Sequence, residues 1–147
     1  MSMANIVVDS SIVIKWFVTE PLSEEARRVL NGYQSGALTL IAPDLLAAEI
    51  GNIVWKKVRM QGLAREDAQQ IISAFRELDI ELLPTTSLLE DAVRIAMAHE
   101  RNVYDALYIA LSEREQSLFI TADERLVNAV NKSFPNTVWL ANWTLQS

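Results

Sequence analysis

The sequence predicts an α/β fold in three layers: a mostly parallel sheet of roughly five strands with helices on both faces. Three observations predict it. Short apolar, β-branched runs recur along the 147 residues, at IVV, LTLIAP, IELLP, LFIT and TVWL. Stretches of helical period separate them. The connections are too long for hairpins, so neighbouring strands run parallel and need cover on both sides.

Taken in order, IVVD is a strand ending on Asp9, and SSIVIKWFV is a short helix directly after it. SEEARRVLNGYQ is a helix with Ser23 as N-cap and Gly36 beyond its end. LTLIAP is the second strand. DLLAAEIGNIVWKKVRMQG is a long helix opened by Pro43-Asp44 and closed by Gly62. AREDAQQIISAFREL is another, with Ala68, Ile71, Ile72 and Phe75 on one face. After the strand IELLP comes the helix SLLEDAVRIAMAHE, whose Ser87 and Glu90 sit at capping-box spacing. NVYDALYIALSERE is apolar nearly all round and therefore a buried helix. LFIT, the helix ADERLVNAVNKSF and TVWL complete the chain. No repeat, low-complexity tract or linker interrupts it, which predicts one domain over 1–147.

Composition narrows the class. Half the residues are hydrophobic and 22% are charged, as in globular proteins. With no cysteine there is no disulfide framework, thiolate nucleophile or cysteine metal site. The first apolar run begins at residue 6, too early for a signal peptide with its own cleavage site. No stretch approaches the ~20 apolar residues that span a bilayer. The chain reads as cytoplasmic, with no membrane partner. A net charge of −6 argues against nucleic acid, because phosphate binding normally leaves a basic footprint. A cation-binding acidic cluster or a local basic patch would answer that objection.

Most of the 19 acidic residues read as solvated helix faces, but four sit in apolar surroundings. Asp9 ends the first strand, and Asp123 follows the fourth in FITAD. Glu49 lies mid-helix in LLAAEIGNIVW, with Leu45, Leu46 and Ile53 on its own face. Asp105 opens the apolar YDALYIAL. Each has an ordinary structural reading. Asp9 is a helix cap, Asp105 a third helical residue behind an Asn102 cap, and Asp123 a first-turn acid inside a Thr121/Glu124 capping box. Glu49 is hardest to explain that way, since an unpartnered carboxylate on an apolar stripe costs roughly 2–7 kcal/mol. Together the four make a different case. Two follow parallel strands and can share one sheet edge, where such folds bind ligands. The other two lie on helices that can pack over it. Four gathered carboxylates repel, and divalent cations remove the conflict. An all-oxygen site suits magnesium or manganese rather than zinc, and such sites polarise phosphate and activate water.

In order and spacing, IVVDSS, PDLLAAEIGNIVW, YDALYIAL and FITAD resemble the PIN-domain ribonucleases, most of all the VapC-like toxins of toxin–antitoxin pairs. The resemblance runs from Asp9 to the strand near Trp139 and implies a PIN-like α/β/α fold. It implies a Mg2+- or Mn2+-dependent endoribonuclease with Asp9, Glu49, Asp105 and Asp123 as its acidic quartet. Hydroxyl residues beside the first and last acids match Ser10 or Ser11 and Thr121. Asn52, one turn after Glu49, is either a polar neighbour of that centre or a buried amide bonded to backbone. The resemblance further implies a VapB-like antitoxin, an RNA substrate and a homodimer, with Trp16, Phe17 and Trp55 as candidates for an apolar docking surface.

Lys56, Lys57, Arg59 and Arg65 form a basic stretch that is either an RNA contact or a solvated helix end. His99, the lone histidine, sits near a helix end and reads as a surface residue rather than a base. Two alternatives remain. One is a catalytically idle PIN-fold binding module. The other, a haloacid-dehalogenase-like phosphatase, wants a second aspartate where this chain has Ser11. Neither a G-x-S-x-G elbow nor a phosphate-cradling G-x-x-x-x-G-K occurs.

Overall fold

The structure, a computed structural model, describes residues 4–145, so the expected span of 1–147 runs past the described residues at both ends. Five strands form one parallel sheet: β1 (Ala4–Val8), β2 (Leu38–Pro43), β3 (Glu81–Leu83), β4 (Leu118–Thr121) and β5 (Thr137–Trp139). Their order is β3-β2-β1-β4-β5, with β1 in the middle. That placement explains why β1 is apolar throughout its second half: Ile6, Val7 and Val8 are all buried. Seven helices connect the strands: α1 (Ser10–Val13), α2 (Ser23–Gln34), α3 (Leu45–Gln61), α4 (Arg65–Glu77), α5 (Leu89–His99), α6 (Val103–Glu115) and α7 (Glu124–Val130). α6 packs across β1, β2 and β4, and its residues Ala106 to Ser112 are all buried. Among the described residues, no helix is long and apolar enough to cross a membrane.

Helix ends follow the sequence signals in part. Gly62 closes α3 with φ 74°, a left-handed conformation that glycine adopts without strain. Asn102 caps α6, its side chain accepting from the Asp105 N–H at 2.7 Å. Three signals resolve differently. Ser23 is the first residue of α2 rather than its cap; the cap position is Leu22, and the Ser23 hydroxyl accepts from the Glu20 N–H at 2.8 Å. Ser87 and Glu90 make no capping box, because a 3-10 turn over Thr85–Leu88 precedes α5 and turns the Ser87 hydroxyl onto the Pro84 carbonyl. Thr121 and Glu124 make none either: the cap of α7 is Asp123 itself, accepting from the Leu126 N–H at 3.2 Å. SSIVIKWFV is likewise not one helix. It is the single turn α1 followed by a 3-10 turn over Ile14–Trp16.

Candidate active site

The sheet order reverses between β1 and β4. From β1 the chain builds outward through β2 and β3 on one side, and β4 and β5 fill the other. A crevice opens outside the carboxyl ends of the strands at such a point. Asp9 follows β1 directly, and Asp123 lies two residues beyond β4.

Asp9 caps α1, but the cap accounts for only one of its oxygens. Oδ1 accepts from the Ser11 N–H at 3.1 Å and from the Ser11 hydroxyl at 2.5 Å. Oδ2 accepts from the Thr121 hydroxyl at 2.6 Å. Each hydroxyl also accepts from a backbone N–H of the loop after β4. Ser11 Oγ accepts from the Ala122 N–H at 3.0 Å, and Thr121 Oγ1 accepts from the Asp123 N–H at 3.2 Å. The ends of β1 and β4 are thus tied by side chains where their ladder stops. These bonds favour the charged carboxylate, yet burial outweighs them. With the Glu49 charge adding to it, burial pushes the Asp9 carboxyl from 3.8 up to about 6.

Glu49 projects from α3, between the buried Leu46 and Ile50. Its Oε1 accepts from the Tyr108 hydroxyl on α6 at 2.5 Å. Burial, with the charge of Asp105, raises its carboxyl, while the hydroxyls of Tyr108 and Ser10 act against the shift. Asp105 is the third residue of α6. Burial raises its carboxyl too, the Asp123 charge adds to this, and Arg101 opposes it. Asp123 is exposed. The charges form a relay in which Asp9 feels Glu49, Glu49 feels Asp105, and Asp105 feels Asp123.

The donor set fits a hard divalent cation: carboxylates and hydroxyls with neither sulfur nor imidazole. Among the described residues, no three Asp, Glu or His side chains form a group able to hold a metal ion as they stand.

A family model described as the PIN domain matches residues 6–132. The chain belongs to the PIN-domain family. Ribonuclease VapC3 of Pyrobaculum aerophilum is 35% identical over 126 residues, which are 82% of this chain and 91% of that protein. Ribonuclease VapC9 of Mycobacterium tuberculosis is 27% identical, over 90% of this chain and 97% of its own length. Two solved structures share the fold. PAE2754 from Pyrobaculum aerophilum has a TM-score of 0.64 and 18% identity, over 95% of this chain and 93% of that one. VapBC2 from Rickettsia felis, bound to a DNA fragment from its promoter, has a TM-score of 0.64 and 14% identity, over 92% and 96% of the two chains. The expected VapC-like resemblance and α/β/α fold both hold.

The remaining predicted residues divide around these four carboxylates. Ser11, rather than Ser10, holds Asp9; Ser10 lies toward Glu49. Ser11 stands where a phosphatase of the rival class would carry its second aspartate. Asn52 is exposed, which rules out the buried-amide reading. Lys57 is only 14% exposed and pairs with Glu20 at 3.1 Å, alongside Lys15 at 3.2 Å from the same carboxylate. Those two ammonium groups hold the Glu20 carboxyl down against the upward pull of its burial. Lys56, Arg59 and Arg65 are exposed, and the Arg59 guanidinium lies over the Trp55 ring, 5.6 Å from its centroid. Trp16 and Phe17 pack against the core, with the Trp16 indole N–H bonded to the Ala26 carbonyl, whereas Trp55 is 54% exposed. His99 packs edge-on against Phe134.

Sequence reasoning missed one member of this centre. Tyr108 reads as a core aromatic among aliphatics, and it is 2% exposed. Its hydroxyl was the available signal, because a buried phenol needs an acceptor. Burial, then the charge and hydrogen bond of Glu49, holds the phenol's proton far above its ordinary range. The group is a donor throughout neutral pH.

Proposed function

We propose that this chain is a metal-dependent endoribonuclease, the toxin of a toxin–antitoxin pair, acting as a single PIN-like domain over 1–147 in the cytoplasm. One observation carries the reading. Four carboxylates, three of them raised by burial and by one another's charge, share the carboxyl edge of the sheet where its strand order reverses. The ribonuclease names of its relatives support the RNA substrate, and the VapBC2 likeness supports a VapB-like antitoxin partner.

In this reading Asp9, Glu49, Asp105 and Asp123 hold Mg2+ or Mn2+. A cation held there would offset their mutual repulsion and would supply the charge that polarises a phosphodiester. Ser11 and Thr121 keep both oxygens of Asp9 aimed, and Ser10 lies beside Glu49. Asp105 and Asp123 form the open side, where RNA enters. Lys56, Arg59 and Arg65 are the exposed cations for its phosphates, Asn52 is a polar neighbour of Glu49, and Lys57 is withdrawn into its ion pair. An antitoxin segment packs on the apolar groove of about 650 Å³ between α3 and α4, which Val54, Trp55, Val58 and Ile72 line. A homodimer completes the assembly; a light-scattering mass of one chain overturns that part.

The deciding experiment measures RNA cleavage with Mg2+, with EDTA, and for Asp9→Asn. Chelation and substitution are each expected to remove cleavage, the substitution by on the order of a hundredfold or more. Undiminished cleavage in the variant sinks the assignment. A chain that neither cleaves RNA nor binds Mn2+ in a calorimeter is the idle binding module instead.

A further inference from the structure

We propose that Tyr108 is a positioning residue for Glu49, fixing Oε1 of that carboxylate so that Oε2 alone is presented to the acidic centre. The inference rests on the ribonuclease reading above.

Three observations support it. The Tyr108 hydroxyl donates to Glu49 Oε1 at 2.5 Å, joining α6 to α3 across 59 positions of sequence. The phenol is held at its other end, where its ring stacks on Phe119 of β4 with centroids 5.6 Å apart and planes 14° from parallel. Phe119 pairs in register with Val7 of β1, two residues before Asp9. The ring therefore stands on the strand that precedes the last acid and pairs with the strand that precedes the first. The third observation is position along α6. Asp105 and Tyr108 lie three residues apart, a spacing that places side chains on one helix face. A single rigid helix thus carries one acid and the hydroxyl that aims another.

A freely rotating glutamate would present either oxygen and lose side-chain entropy on each binding event. A carboxylate tethered through one oxygen by a phenol buried to 2% has already given up that freedom. Tyr108 touches neither RNA nor the reacting phosphate in this arrangement. Its effect passes through Glu49, as it does for the outer partners of metal-binding side chains in general.

The test uses the full chain and Tyr108→Phe, which deletes the hydroxyl and keeps the ring on Phe119. Circular dichroism is expected to match the parent. Mn2+ affinity by calorimetry and kcat on RNA are each expected to fall on the order of 10–100-fold, with KM within about twofold. Tyr108→Phe is then placed in a Glu49→Ala background, where it should cause no further fall in Mn2+ affinity or kcat. Additive losses there overturn the inference, since Tyr108 would be acting by another route. Unchanged affinity and kcat in the single variant also overturn it, and so does loss of the native circular dichroism spectrum, which makes the hydroxyl a folding contact. A parent chain that neither binds Mn2+ nor cleaves RNA is a separate outcome. It removes the ribonuclease reading and this inference with it.

Discussion

Asp9 and Glu49 each accept from a hydroxyl brought from another element, whereas among the described residues Asp105 and Asp123 accept from none. Ser11 and Thr121 hold both oxygens of Asp9, and Tyr108 holds one of Glu49. Among the described residues, Asp105 receives no such hydroxyl, and the Asp123 carboxylate takes only a helix-cap N–H. On the proposed reading, the difference separates two jobs among the four acids. The inner pair is set before any ligand arrives, and the outer pair is free to adjust when one does.

The largest effect that sharpens this contrast is on stability. Burial raises Asp9 from 3.8 to about 6, so the folded chain holds that proton more tightly than the unfolded chain. As pH rises from about 4 to about 6, the unfolded chain loses the proton first, and folding stability falls by roughly 3 kcal/mol before levelling off. Asp9→Asn in EDTA is therefore expected to melt higher than the parent at pH 7, by up to about 3 kcal/mol, and like the parent below about pH 4. Asp123→Asn should melt like the parent throughout, because asparagine caps a helix as well as aspartate. Equal behaviour of the two variants in thermal melts would erase the inner–outer distinction.

Thr121→Val comes next. It strips the hydroxyl from Asp9 and leaves the Asp123 N–H without its acceptor, an expected loss of about 1–3 kcal/mol in urea unfolding. Thr121→Ser should restore most of it. Ser11→Ala is expected to lose about 1 kcal/mol, while Ser10→Ala stays within about 0.5 kcal/mol; reversed magnitudes would exchange their roles. The smallest effect is at Lys57. Lys57→Ala should reduce stability by under about 1 kcal/mol and leave RNA affinity unchanged, whereas Lys56→Ala weakens RNA binding in filter assays.

Much of this arrangement is legible in the sequence because each acid carries its own context. A strand ending on Asp9, a carboxylate within the apolar stripe of Glu49, and Asp105 at the head of a helix apolar all round each conflict with burial. Their conflict is visible residue by residue. What is not legible depends on partners distant in sequence. Ser10 and Ser11 are indistinguishable until β4 supplies Thr121, 110 residues after Ser11. Lys57 looks like a free cation until Glu20 approaches from 37 residues away. Tyr108 has the spacing of a core residue and is one; its hydroxyl matters only once α3 lies beside α6. Local signals mislead in a similar way at Ser87, where residue spacing alone does not foresee the 3-10 turn.

The pairing of β1 with β4 also has a consequence in time. Asp9 is synthesised 112 positions before Thr121, which completes its setting. The central strand of the sheet must wait for the fourth, so a growing chain carries Asp9 with half its support until β4 emerges. On the proposed reading, a ribosome making this protein is not exposed to a finished nuclease until β4 has emerged. On the same reading, a product truncated before β4 lacks Thr121 and Asp123 and is expected not to cut.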